Sequence, residues 1–155
     1  MSPYTKNIRD EKELSALAAR LAPHLGTGDV VTLTGGLGAG KTAFVRALVN
    51  AMSLQREEVP SPTFTLVQTY DLPRFSLWHF DLYRMKEDRR DILELGWDEA
   101  RRSGVTLVEW PDRLGGLLPK DRLEINIAFH KDSENARAVT LSPCGSWMGR
   151  LKKEI

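Results

Sequence analysis

The sequence predicts an α/β fold, a three-layer sandwich around a mixed, mostly parallel sheet that also carries an antiparallel hairpin. Three observations predict it. A β-branched run at 30–34 passes through a glycine-rich turn directly into an amphipathic helix. A second apolar run at 105–108 has the unbroken hydrophobicity of a strand covered on both faces. Two strand-like stretches either side of Pro73 are joined too tightly for anything but a hairpin. With 155 residues, 41% hydrophobic and 28% charged, the chain has the size and composition of one soluble domain.

The elements follow in order. Asp10 and Glu13 form a cap-like pair, and Leu14, Leu17, Ala18, Leu21 and Leu25 recur at helical spacing, which predicts a packing helix over 10–25. The strand at 30–34 leads into Gly35-Gly36-Leu37-Gly38-Ala39-Gly40-Lys41-Thr42, and Ala43, Phe44, Ala47, Leu48, Ala51 and Met52 continue a helix over 41–52. Pro60 and Pro62 end any helical continuation and mark an extended loop. Residues 63–70 and 77–84 read as the hairpin strands, with the turn at 72–76. Charged residues over 86–102, interleaved with Ile92, Leu93, Leu95, Trp97 and Ala100, predict one or two helices, with Gly96 a break and Gly104 a stop. After the central strand at 105–108, residues 122–129 and 136–141 read as two further strands around a polar turn, and the last ten residues as a short basic helix. No repeat, low-complexity segment or linker divides the chain.

The order strand, glycine loop with terminal Lys-Thr, helix is that of a phosphate-binding P-loop, so the fold is P-loop NTPase-like. Its glycines let the backbone wind closely around a phosphate and aim N–H groups at it, and the helix that follows adds its positive dipole end. The nucleotide-binding set is Gly36, Leu37, Gly38, Ala39, Gly40, Lys41, Thr42 and Ala43. Lys41 reaches the β- and γ-phosphates, and the Thr42 hydroxyl is placed to ligate Mg²⁺. A loop alone leaves Mg²⁺ and the attacking water under-specified, which directs attention to acids at strand ends. Glu109 follows the run at 105–108, where a Walker-B-type carboxylate belongs. Period-two alternation puts His79, Asp81 and Tyr83 on one face of their strand, with Phe80 and Leu82 on the other, so Asp81 is the second candidate metal ligand. His79 and Tyr83 read equally as hydrogen-bonded scaffolding. Ser61 and Thr63 lie where switch loops sense a γ-phosphate, or form a proline-shaped turn. Trp110 contacts the nucleotide or a partner, or belongs to the core. The candidate catalytic residues are thus Lys41, Asp81 and Glu109, and the candidate metal set is Thr42, Asp81 and Glu109.

Together GGLGAGKT at 35–42, SPTF at 61–64, HFDLYR at 79–84 and LVEW at 107–110 resemble the bacterial TsaE family of tRNA threonylcarbamoyladenosine biosynthesis proteins. The order and spacing match over most of the chain, and the ends, before about 29 and after about 143, add little. The resemblance implies an ATPase that uses Mg-ATP and works with TsaD and TsaB, the pair that transfers a threonylcarbamoyl group to the adenosine next to the anticodon. It implies that ATP binding and hydrolysis reset that pair between turnovers, that the protein alone is a poor ATPase, and that tRNA is met only indirectly. By matching position, Lys41 and Thr42 serve the phosphates and Mg²⁺, Asp81 and Glu109 the metal and hydrolysis, and the SPTF segment a switch. Gly36 stands where the family often has an acidic or amide residue, which leaves phosphate binding intact.

Other readings are weaker. A small-molecule P-loop kinase closes an arginine-bearing lid over the phosphates, but Arg89, Arg90, Arg101 and Arg102 alternate with apolar residues as on a solvated helix face. A GTPase needs an Asn-Lys-x-Asp segment, which the sequence lacks. A nucleotide-gated binding module differs mainly in whether turnover matters. With 22 basic against 21 acidic residues, no global field draws nucleic acid or an anionic membrane. Cys144 is the only cysteine, and no signal peptide or apolar run of membrane length shows, so the expectation is a cytoplasmic protein with one incidental thiol.

Overall fold

The β-branched runs and the tight turn translate into strands. The computed structural model describes residues 3–54, 59, 66–85, 89–131, 133–151 and 155. Among these, seven strands form one sheet: β1 (Tyr4–Ile8), β2 (Val30–Thr34), β3 (Val67–Asp71), β4 (Ser76–Asp81), β5 (Gly104–Glu109), β6 (Arg122–His130) and β7 (Ser133–Cys144), in the spatial order β1-β7-β6-β2-β5-β4-β3. The inner strands β6, β2, β5 and β4 are mutually parallel, while β3 on one side and β7 on the other run against them, and β1 reverses again. Five of the seven strands therefore point the same way, as expected of a mixed, mostly parallel sheet.

Helices cover both faces and make the three layers. On one face α1 (Glu11–Leu21) and α2 (Lys41–Met52) bury Leu14, Leu17, Leu21, Phe44, Val45, Leu48 and Val49 against Val31, Leu33, Leu77, Leu107, Ile125 and Val139. Each such side chain contributes about 2 kcal/mol of apolar burial, which fixes α2 and hence the loop that precedes it. On the other face α3 (Arg89–Glu94) and α4 (Trp97–Ser103) pack Ile92, Trp97 and Ala100 onto Phe80 and Val108, with Phe80 and Trp97 edge to face at 5.4 Å. The one or two helices read over 86–102 are thus two, with Gly96 between them at φ +93°, a left-handed value that glycine adopts without a Cβ penalty. A four-residue helix, α5 (Trp147–Arg150), follows the last strand.

Several boundaries differ from the sequence reading. The helix read over 10–25 ends at Leu21 and tightens to a 3₁₀ turn at Ala22–His24 where Pro23 enters; Asp10 caps its start by accepting the Glu13 N–H at 2.9 Å. The strand read as 77–84 is Ser76–Asp81, because the Asp81 carboxylate accepts the Tyr83 N–H and the Met85 N–H closes a turn onto the Leu82 carbonyl. Its partner begins at Val67, and residues 63–65 lie outside the described residues. Strands β6 and β7 outrun the stretches read as 122–129 and 136–141, and the terminal helix is confined to 147–150. Two elements went unread. The polar strand β1 pairs with the β7 edge and gives little alternation signal, and Pro111–Leu117 forms 3₁₀ turns after β5.

Candidate nucleotide site

Parallel packing of β2 between β5 and β6, and of β5 beside β4, brings the carboxyl ends of these strands to one edge of the sheet. Ligands of open α/β sheets bind at such an edge. The glycine loop leaves β2 there, Asp81 ends β4 and Glu109 ends β5, and the register pairs Asp81 directly with Glu109. Gly35, Gly38 and Gly40 adopt φ of +144°, +78° and +117°. Gly35 is also obligatory for space, since a Cβ there would lie 2.2 Å from the Ile127 carbonyl oxygen. Gly40 is the residue that caps α2, so the unpartnered N–H groups of the first helical turn face the loop's hollow.

The side chains converge as the spacing suggested. A cleft of about 340 Å³ is lined by Leu37, Gly38, Gly40, Lys41, Thr42, Ala43, Asp81, Tyr83, Arg84, Glu109 and Trp110. Lys41 is only 6% exposed; its Nζ donates to the Gly35 carbonyl at 2.7 Å and lies 4.0 Å over the Trp110 ring. Burial pushes the Lys41 ammonium below its ordinary value, against the upward pull of Glu109 and Asp81. Glu109 and Asp81 are both buried, and the Glu109 carboxylate meets Nε2 of fully buried His79 at 2.7 Å. His79 and Glu109 sit on neighbouring strands, two residues apart in register, on the α2 face of the sheet. Nδ1 of His79 is buried without a partner. A neutral ring donating Nε2–H to Glu109 leaves Nδ1 a bare acceptor, a lesser cost than an unpaired N–H.

Of the residues read from the sequence, Lys41, Thr42, Asp81, Glu109 and Trp110 are brought together, along with Leu37, Gly38, Gly40 and Ala43. Gly36 and Ala39 belong to the same loop without lining the cleft. Ser61 and Thr63 lie outside the described residues. Trp110 lines the cleft and also packs against the Phe80–Trp97 side of the core, held at φ +60° where a bulky residue is strained, with its ring 4.8 Å from Tyr83. The four arginines weighed as a lid lie on α3 and α4, and none lines the cleft. A second hollow, of about 470 Å³, opens beside the loop and is bounded by Ile8, Asp10, Leu14, Asn135 and Arg137 among others. Arg137, which donates to the Ala39 carbonyl, was not singled out in the sequence, and no motif could have flagged it, because its partner is 98 residues away.

The family model for the threonylcarbamoyl adenosine biosynthesis protein TsaE matches residues 8–139. The chain belongs to the TsaE family. Among curated relatives, the tRNA threonylcarbamoyladenosine biosynthesis protein TsaE of Bacillus subtilis is 38% identical over 152 residues, covering 97% of this chain and 90% of that one. Its counterpart in Rickettsia bellii is 36% identical over 133 residues, covering 86% and 92%. The crystal structure of Bacillus subtilis YdiB superposes with a TM-score of 0.81 at 31% identity, covering 97% of this chain and 93% of that one. Membership of TsaE assigns the chain a role in threonylcarbamoyladenosine biosynthesis. Among the described residues no helix is long and apolar enough to cross a membrane.

Proposed function

We propose that the chain binds Mg-ATP in the 340 Å³ cleft and hydrolyses it, slowly alone and faster with TsaD and TsaB, so that each turnover resets that pair during threonylcarbamoyl transfer to tRNA. The observation that carries the proposal is the in-register pairing of Asp81 with Glu109 beside buried Lys41 at the mouth of the glycine loop. Two carboxylates facing each other across adjacent strands repel, and, in a cleft that also holds Lys41 and Arg84, their oxygens together suit a hard divalent cation.

The residues fit Mg²⁺ in its usual mode. Among the described residues no group of three or more His, Cys, Asp and Glu side chains stands ready as a metal cage. Mg²⁺ ordinarily takes one or two protein carboxylates, a hydroxyl and phosphate oxygens, and keeps several waters. Thr42, Asp81 and Glu109 are such a set. Bound there, the ion would supply charge neutralisation to the β- and γ-phosphates.

The chain's own groups supply the rest. Lys41 exchanges the Gly35 carbonyl for a phosphate oxygen, which replaces a neutral hydrogen bond with a charge-assisted one. The loop N–H groups and the start of α2 hold the phosphate chain in line. Glu109, oriented by His79, positions the water whose oxygen attacks the γ-phosphorus; the bond to the β–γ bridging oxygen breaks, giving ADP and hydrogen phosphate, with the water's other proton released to solvent. Trp110 and Tyr83 wall the cleft against bulk water. The hollow beside the loop leaves room for ribose and base.

The experiment is phosphate release from Mg-ATP by the purified chain, with and without TsaD and TsaB from the same source. Slow release alone and clear stimulation by the pair supports the proposal. Release indifferent to the pair, or dependent on a small phosphate acceptor, overturns it in favour of a kinase.

A further inference from the structure

The glycine loop is gripped from the β6–β7 side as well as by its own helix. Arg137 on β7 donates from Nε to the Ala39 carbonyl at 2.8 Å, and its Nη1 donates to the carbonyls of Glu134 at 2.6 Å and Ala136 at 2.8 Å. Its guanidinium lies 4.6 Å from the centre of the Phe129 ring. That ring stands 3.8 Å from where a Cβ on Gly36 would be, and 4.0 Å from one on Gly38. Phe129 is 55% exposed, so core burial does not account for its place. The β6–β7 register shifts between Phe129 and His130, and such irregularities re-aim the side chains around them.

We propose that Arg137, backed by Phe129, is a positioning residue for phosphate binding by the glycine loop, which deepens the Mg-ATP reading above and rests on it. The peptide bond is planar and trans, so the carbonyl of Ala39 and the N–H of Gly40 point in opposite directions. Holding the Ala39 carbonyl out toward β7 therefore turns the Gly40 N–H in toward the phosphate cradle. A loop with glycine at 35, 36, 38 and 40 has more conformations to lose than one with side chains at those positions, and a clasp that selects one before the ligand arrives raises affinity. Arginine suits the task because its rigid, planar fork spans three carbonyls while stacking on an aromatic face. A lysine, a point charge on a flexible stem, does neither.

The test titrates the full chain and its Arg137→Gln, Arg137→Lys and Phe129→Ala variants with Mg-ATP and, separately, with inorganic tripolyphosphate, folding being checked by circular dichroism and thermal melting. The expected result is that Arg137→Gln binds both ligands about tenfold more weakly, by the same factor. Arg137→Lys restores little of this, and Phe129→Ala shows a smaller, parallel loss. The Gly40 amide cross-peak in the ¹H–¹⁵N spectrum of the free chain moves in Arg137→Gln, while those of β2 stay in place.

Full rescue by lysine overturns the proposal in favour of simple electrostatic attraction. A loss confined to ATP overturns it in favour of a contact with base or ribose, since Arg137 also borders the second hollow. Unchanged affinity or an unmoved Gly40 amide overturns it outright. If Arg137→Gln fails to fold, Phe129→Ala decides, because its side chain is largely outside the core. A wild-type chain that binds neither ligand overturns the site reading and this proposal together, whereas binding shared equally by wild type and variants overturns this proposal alone.

Discussion

Glu109→Ala and Glu109→Gln should part company in stability while agreeing in activity. The Glu109 carboxylate is the partner of His79 Nε2 at 2.7 Å, and His79 is fully buried with Nδ1 already unpartnered. Alanine removes the acceptor and leaves a second polar atom of the same ring unsatisfied, which costs about 1–3 kcal/mol before any loss of packing. At about 2–4 °C per kcal/mol for a domain of this size, a central value of ~2 kcal/mol lowers Tm by about 4–8 °C. Glutamine keeps an acceptor oxygen within reach of Nε2. It gives up the charge assistance of that bond, which roughly doubles its strength, but it also removes the like charge opposite Asp81. These two terms oppose, and stability stays within about 1 kcal/mol of wild type. Both variants should bind Mg-ATP and lose partner-stimulated phosphate release by about a hundredfold or more, the usual scale for a group that handles the attacking water. Thermal melts, nucleotide titration and phosphate release measured on the same samples make the comparison. Equal melting of the two variants would refute the argument that the His79 bond holds the strand ends together. Wild-type turnover in Glu109→Gln would refute the catalytic role.

Four further outcomes follow from the same geometry. Lys41→Ala should abolish detectable Mg-ATP binding by titration calorimetry. Because burial holds the Lys41 ammonium below its ordinary value of 10.5, the unfolded chain binds more protons between the folded value and 10.5, and stability should rise with pH across that window. Urea unfolding from pH 7 to 10.5 should show that rise in wild type and lose it in Lys41→Met. Gly35→Ala places a Cβ 2.2 Å from the Ile127 carbonyl oxygen at a φ of +144°, so it should lose more than about 2 kcal/mol in urea unfolding and bind nucleotide poorly. Asp81→Asn should weaken phosphate release in a way that raised Mg²⁺ partly restores; absence of any rescue in a Mg²⁺ titration would make Asp81 structural.

Local chemistry made much of this molecule legible from residues alone. A β-branched run followed by glycines and Lys-Thr admits few structures, since glycine takes the positive φ values found at 35, 38 and 40 without a Cβ penalty and a helix start follows directly. The strand at 105–108 was legible because a strand covered on both faces must be apolar throughout, and the carboxylate that breaks such a run stands out. Strand alternation placed His79 and Asp81 on the face opposite Phe80, as found. Alternation failed beyond Asp81, where a side chain bonding its own backbone ended the strand, a competition between local hydrogen bonds that carries no periodic signal.

The sequence by itself thus determined most of the elements, the glycine loop and the acids that end β4 and β5, because each rests on the conformational limits of a few adjacent residues. The tertiary structure alone decided the strand order, the edge position of polar β1, the direct pairing of Asp81 with Glu109, the His79 bond, the Trp110 ring under Lys41 and the Arg137 hold on Ala39. Those relations reach across 28 positions for Asp81 with Glu109, 98 for Ala39 with Arg137 and 137 for Tyr4 with Leu141. They come from how two helical layers press on one sheet, and such packing depends on the whole hydrophobic core rather than on any stretch short enough to carry a pattern.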